Sequence, residues 1–342
     1  LPAKLGVPSV RRHGGVRMVA IDIDDDAAPR SPLARCRSMQ GELDALVIGG
    51  GPAGLTAALY LARFRRRVAL ADAGDPRAAW IPASHNIPFF ADGIPGAEIL
   101  ARQREHLARY RVPSLPVVTG LDRDGSGFVA HFADRAPLRA RHVLLATGAR
   151  DLEPDLPDRP DAVRRGLVRY CPVCDGFESR DQRIAVIGHG AKGANEALFI
   201  ARTYSDDVTL LTLGRPMDPD EETRVRLARH RVRVVEKPVV ALDVQDGRIA
   251  ALRVDGEALR FDILYSALGL HYRTELAEAL GAAREANGAL RVDAGMMTTV
   301  PGLYAAGDIV AGLDQIVVGM GHAAIAATRI HNACARWTEE EG

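Results

Sequence analysis

Cysteine is scarce in this chain, with four in 342 residues, and only Cys171 and Cys174 stand close together. That distribution excludes the bridge framework of a small secreted domain and leaves a pair that is either redox-active or metal-binding in a reducing compartment. Net charge is missing as well, since Lys plus Arg and Asp plus Glu number 44 each. Without an overall basic field the chain is not built to hold nucleic acid or an anionic membrane surface, so small molecules or proteins are the expected partners. Long apolar runs are absent: none reaches the roughly 18 residues of a membrane span. The opening stretch, broken by Arg11, Arg12 and His13, has no secretory apolar region. A cytoplasmic protein with no membrane segment is the resulting expectation.

Residues 1–38 carry the acidic run Asp22, Asp24, Asp25 and Asp26, scattered prolines and no sustained apolar periodicity, so a disordered extension is expected there, with the natural start at Met39. Order begins at Asp44 to Ile48, an apolar run that predicts a strand and ends in Gly49-Gly50-Gly51-Pro52-Ala53-Gly54. A helix with Leu55, Leu59 and Leu61 on its apolar face follows, then a strand from Val68 to Ala71 ending at Asp72, which completes a βαβ unit. Residues 73–90 read as a loop, 96–110 as an amphipathic helix, and 117–143 as a meander turning at Gly125-Ser126-Gly127. A strand from His142 to Ala146 runs into Thr147-Gly148, and the proline-rich stretch 153–160 reads as a linker. The pattern then restarts. A strand at 183–187, a turn through Gly188, Gly190 and Gly193, a helix at 194–202 and a strand at 208–213 form a second βαβ unit, followed by short strands and a strand ending at Gly269. A duplicated ground plan is harder to produce by chance than either motif alone. The remaining segment holds Leu303 to Ala305, Gly307-Asp308 and a helix from about 319 to 335.

Gly49-x-Gly51-x-x-Gly54 lies between a strand and a helix, where a dinucleotide motif belongs. The first glycine permits the tight turn, the second lets a pyrophosphate approach the backbone, and the third allows close packing, while the helix N-terminus favours phosphate charge. Asp72 has the spacing of an acid that binds ribose hydroxyls, and Asp308 after its apolar strand offers a second acid to ribose or ribityl hydroxyls. The second turn predicts a second nucleotide, yet the strand after it ends Leu213-Gly214-Arg215, with Arg215 alone available for a 2′-phosphate. Cys171-Pro172-Val173-Cys174 sits between the two turns. Zinc wants about four ligands and no second pair stands near, so a redox role is the favoured reading and no metal site is expected. A helix beginning at Asp175 would lower the thiolate pKa of Cys174, and Asp175 itself is either a proton donor to the departing thiolate or the cap of that helix. His85, Asn86 and His322 are single polar residues for which structural roles compete with ligand roles.

Taken together, Gly49 to Gly54, Ala146-Thr147-Gly148, Cys171-Pro172-Val173-Cys174-Asp175-Gly176 and Thr298 to Asp308 resemble the low-molecular-weight thioredoxin reductase family over roughly residues 43–331. The resemblance implies an α/β fold of two nested Rossmann-like domains of the three-layer ββα type. A discontinuous FAD domain would span 39–152 plus 270–342, and an NAD(P) domain carrying the cysteines 153–269. It further implies FAD on the first unit, with Pro52, Ala53, Asn86, Ala146, Thr147, Gly148, Gln315 and Ile316 among its contacts, NADPH or NADH on the second, and a homodimer. Cys174 would face the flavin as the charge-transfer thiolate, Cys171 would attack the disulfide of a thioredoxin-like protein or small substrate, and Asp175 would be the acid. The cysteine-bearing domain would swing on linkers near 153–160 and 269–273. Two stretches depart from the family pattern. Leu213-Gly214-Arg215 replaces its His-Arg-Arg run, and Gly312 to Ile316 differs from its Tyr-Arg-Gln stretch. A dithiol oxidase that hands electrons to oxygen, or a reductase fed by ferredoxin, are the competing readings.

Overall fold

Residues 42–157, 162–163, 167–245 and 248–334 are described in the computed structural model. The expected extension over 1–38 and the start at Met39 lie outside them.

The first glycine turn joins β1 (Leu43–Ile48) to α1 (Pro52–Arg63), which returns to β2 (Val68–Ala71). Pro52 at the head of α1 suits a helix start, because its missing N–H would have had no helical partner. After α2 (Gly96–Ala108) come the short β3 (Ser114–Leu115), β4 (Gly120–Asp124), β5 (Gly127–His131) and β6 (Leu138–Leu145). The strands align as β3-β2-β1-β6-β5-β4, parallel through the first four and antiparallel beyond. The meander turns where Gly125-Ser126 places it, but its last strand and the one expected from His142 are a single long strand, β6. Alternate positions of β1, Ala45 and Val47, pack with Leu55, Ala58 and Leu61 of α1 and with Leu100 and Leu107 of α2 in one core.

Chain crossings follow. β7 (Ala149–Asp151) leads to a single helical turn, α3 (Pro172–Asp175), and then to the second glycine turn between β8 (Ile184–Ile187) and α4 (Gly190–Thr203). β9 (Val208–Leu211), α5 (Glu221–Arg229), β10 (Arg233–Val235), a meander of β11 (Val239–Gln245), β12 (Arg248–Val254) and β13 (Glu257–Leu259), and β14 (Ile263–Ser266) complete this part. The parallel sheet β10-β9-β8-β14 is sandwiched: Ile184 and Val186 face α4, while Ala185 and Ile187 face Ile249, Leu252 and Val254 of the meander. This period-two division of one strand between two cores is the signature of a sheet buried on both faces. Helix α5 had no apolar stripe to reveal it, since only Leu227 is buried; Asp220 starts it by accepting the Thr223 N–H at 2.7 Å.

The chain returns through β15 (Leu270–Tyr272), which pairs antiparallel with β7, so the two crossings form one two-stranded ribbon. α6 (Glu275–Ala279), β16 (Leu303–Ala305) and α7 (Ile316–Cys334) then rejoin the first sheet, β16 pairing with the C-terminal half of β6. The fold is therefore mixed α/β, with one mixed and one parallel sheet, each behind its own glycine turn. Among the described residues, no helix is long and apolar enough to cross a membrane, and no group of His, Cys, Asp or Glu is arranged to hold a metal ion.

Candidate active site

Both glycine turns are built on the same contact. A Cβ on Gly54 would lie 1.8 Å from the Gly49 carbonyl oxygen, and one on Gly193 would lie 2.6 Å from the Gly188 carbonyl carbon. Any side chain there would push the helix off its strand, so the glycines serve close helix-to-strand packing. Gly49 itself has φ +115°, a conformation that glycine adopts freely. Gly50, which the spacing rule passes over, is equally constrained: its amide donates to Asp72 Oδ1 at 3.0 Å and a Cβ would strike that carboxylate.

A cavity of about 520 Å³ opens above the first turn, within the roughly 300–1,000 Å³ usual for cofactor sites. Gly49, Gly51, Pro52, Ala53, Asp72, Ala146, Thr147, Gly148, Gly307, Asp308, Gln315 and Ile316 line it, as do Cys171 and Cys174. The structure thus gathers residues from just beyond the ends of β1, β6 and β16, from the head of α7 and from the cysteine turn around one space. Asp72 Oδ1 also accepts the Gly74 N–H at 3.1 Å, which ties the acid to its turn. Thr147 spends its hydroxyl on the Arg273 carbonyl, 2.6 Å away, and so braces the return crossing. The space suits a flavin dinucleotide: two acids stand over a glycine turn, and the buried Tyr170 Oη, on the cavity wall, has no hydrogen-bond partner.

Cys171 and Cys174 form a disulfide. The turn that carries them is clamped by the His85 N–H donating to the Cys174 carbonyl at 3.1 Å and by Asn86 Nδ2 donating to the Val173 carbonyl at 3.2 Å. Asn86 is not on the cavity wall; its amide instead reaches Gln315 Oε1 at 2.8 Å, and Gln315 touches both sulfurs. The helix expected to begin at Asp175 begins at Pro172, with Cys171 at its N-cap position and Asp175 as its last residue. Asp175 therefore does not cap this helix, and the helix N-terminus expected beside Cys174 lies at Cys171 instead. The physical reason is Pro172, whose fixed φ starts the turn early. Asp175 faces inward, accepting from Tyr265 Oη at 2.8 Å and Arg169 at 3.0 Å. Burial pushes its carboxyl pKa up, against the pull of Arg169 and the Tyr265 hydrogen bond, so it holds a proton more readily than a free aspartate.

Gly188, Gly190 and Gly193 are elsewhere, at the head of α4. Arg215 does reach that turn, its guanidinium 3.0 Å from His189 Nε2. His322 is half-buried, its Nδ1 has no partner, and burial lowers its pKa.

Three residues of the site have no signal in the sequence. Arg77 lies on a short 3-10 turn inside the expected loop and makes two 2.7 Å contacts with Asp151 and one of 2.9 Å with Asp308, its charge centre 4.3 Å from the Tyr170 ring. Tyr170 could have been noticed only as the neighbour of Cys171. Asp314 lines the cavity, where burial and Asp308, offset by Arg77 and Lys192, push its pKa up to about 6; Asp151 adds to the rise, and Tyr272 faces the same group. An acid bound more tightly to its proton when folded destabilises the fold once ionised. Asp314→Asn is thus expected to raise the melting temperature at about pH 7.5, the gain fading as pH falls through 6 and vanishing near the free value of 3.8.

Comparison with known proteins agrees with this geometry. Thioredoxin reductase of Streptomyces coelicolor is 31% identical over 279 residues, covering 78% of this chain and 85% of the relative. An alkyl hydroperoxide reductase polypeptide of Xanthomonas campestris pv. phaseoli is 28% identical over 94% of this chain, which spans only 64% of that relative's length. The crystal structure of thioredoxin reductase from Streptococcus pyogenes superposes with a TM-score of 0.78 at 27% identity, over 86% of this chain and 98% of the other. Residues 43–329 match the model of the pyridine nucleotide-disulphide oxidoreductases. A paired set of glycine turns with a cysteine couple between them thus has its explanation: this chain belongs to the pyridine nucleotide-disulphide oxidoreductase family.

Proposed function

We propose that the chain passes electrons from NADPH or NADH through FAD and the Cys171–Cys174 disulfide to a disulfide of a thioredoxin-like protein or a small molecule. The observation that carries the reading is the position of the disulfide on the wall of the first glycine turn's cavity, while the second turn heads a separate sheet. In this reading residues 39–152 and 270–342 hold FAD. Gly49, Gly51 and Gly54 admit its pyrophosphate, Asp72 and Asp308 bind hydroxyls, and Ala146 to Gly148 with Gln315 and Ile316 border the ring. Residues 153–269 hold the nicotinamide nucleotide at Gly188, Gly190, Gly193 and Arg215. When bound, FAD supplies two-electron transfer in either direction between nucleotide and disulfide.

The chain's own part is to hold and move sulfur and protons. Cys174 takes the electron pair, Cys171 attacks the external disulfide, and Asp175, whose proton affinity burial raises against the pull of Arg169, is the acid that gives a proton to the departing thiolate. The β7–β15 ribbon is the hinge on which the cysteine-bearing part turns to expose Cys171. A homodimer in the cytoplasm completes the reading.

Rapid mixing of the purified flavoprotein with NADPH and with NADH, without oxygen, tests it. At least one is expected to bleach the flavin within the turnover time. If neither does, the nicotinamide step is wrong. The second reading, a dithiol oxidase, draws on the lone Arg215 at the second turn, already paired with His189. It expects oxygen uptake with a small dithiol and no nucleotide.

A further inference from the structure

Gln315 is 8% exposed and wedged against the disulfide, its Nε2 donating to Cys171 Sγ at 3.4 Å and its Oε1 lying 3.7 Å from Cys174 Sγ. The two ends of a carboxamide are distinguished by the hydrogen bonds around them. Here Asn86 settles the matter: its Nδ2 donates to Gln315 Oε1 at 2.8 Å, which leaves the Gln315 NH₂ for Cys171. Asn86 is oriented in turn, because its Nδ2 also donates to the Val173 carbonyl, which can only accept, at 3.2 Å, and this leaves its Oδ1 to accept from Ser84 Oγ at 2.9 Å. Ser84 is 1% exposed, and its backbone exchanges hydrogen bonds of 2.9 and 3.0 Å with Ile94. A directed chain of donors thus runs from Ser84 through Asn86 and Gln315 to one sulfur of the pair.

We propose that Gln315 is a catalytic residue of the sulfur chemistry, its amide N–H stabilising the thiolate that forms on Cys171 when the disulfide opens, with Asn86 and Ser84 as positioning residues. The proposal rests on the reading that Cys171–Cys174 is the working disulfide. Opening it breaks the S–S bond and takes two electrons. The pair enters at Cys174 Sγ from a two-electron donor, reduced flavin in the enzyme or a dithiol in solution. Cys171 Sγ leaves with the pair of the broken bond, and two protons from the acid or the solvent complete the dithiol. A hydrogen bond from a neutral amide to an anionic sulfur is stronger than one to a neutral sulfur, so the relay favours the charge on Cys171. The same charge makes Cys171 the better nucleophile toward an external disulfide.

The test is an equilibrium measurement on the purified holoprotein. The disulfide is poised against dithiothreitol buffers from about pH 6 to 9, and the reduced fraction is trapped by alkylation and read by mass. Gln315→Leu removes the donor. Gln315→Glu keeps the shape and the hydrogen bond from Asn86 but turns an acceptor toward Cys171. Wild type and variants are expected to coincide at low pH, where Cys171 is a thiol. As pH rises and the thiolate forms, both variants should shift toward the disulfide, reaching roughly tenfold, about 30 mV for a two-electron couple. Asn86→Ala, which frees the amide to turn over, should show a smaller shift of the same sign. A merely structural role would displace the curves equally at every pH, and that result, or no displacement, overturns the proposal. No nicotinamide or protein substrate enters the measurement, so the outcome is independent of the electron donor and acceptor assigned above.

Discussion

Cys171→Ser will keep its flavin, seen in the visible absorption of the purified protein, and lose disulfide reduction by roughly 10³-fold or more, because residues that act as a unit fail together. Cys174→Ser will lose as much, and with it any long-wavelength charge-transfer band on reduction. The two cysteines contribute only part of the cavity wall, and Gly49, Asp72, Gly307 and Asp308 are among the residues that line it beside the first sheet and its returning strand. Serine exchanges one sulfur for a smaller oxygen and leaves the turn's backbone clamps from His85 and Asn86 in place. Flavin retention and lost turnover are therefore separable results. Turnover near wild type in either variant would contradict a disulfide that carries the electrons, whichever donor and acceptor are used.

How much of this could be read from the sequence depends on the range of the signal. Gly49 to Gly54 and Gly188 to Gly193 are local motifs flanked by apolar strands, and each requirement, close packing against the strand, is met within a few residues. The cysteine pair is local too, which is why its place between the turns was legible. The start of the helix around it was not, because Pro172 sits inside the pair and starts the turn before Asp175. Asp175 looked like a cap in sequence, yet Tyr265 and Arg169, from a strand 90 residues on and from just upstream, take its oxygens. The relay from Ser84 to Cys171 joins residues up to 229 positions apart and obeys no period. Period and spacing expose what a single element needs; they are silent where three elements converge on one charge or one sulfur.

The Arg77 cluster is the extreme case. It joins a short turn, β7, the residue before Cys171 and the acid after β16, and its members, Asp308 apart, carry no motif. Arg77 is 14% exposed and Asp151 6%, so the pair is largely withdrawn from water. Removing one partner of such a pair leaves the other charge buried without compensation, at about 3–5 kcal/mol. Arg77→Met keeps much of the volume and should lower the melting temperature by roughly 6–12 °C at neutral pH. The double variant Arg77→Met with Asp151→Asn should recover a large share, since the stranded carboxylate is then gone. Recovery separates a charge effect from a packing effect: if the double variant melts as low as the single one, the lost stacking on Tyr170 is what matters. The cluster also spans the crossing. Arg77 and Asp308 sit beside the first sheet, Asp151 lies on the ribbon, and Tyr170 adjoins the cysteines, so the contact between Arg77 and Tyr170 must part if the hinge turns. The Arg77 guanidinium remains tied to Asp151 and Asp308 while its stack on Tyr170 is the weaker link, about 0.5–2 kcal/mol. The cluster is thereby able to fix the ribbon without locking the cysteine turn in front of the cavity.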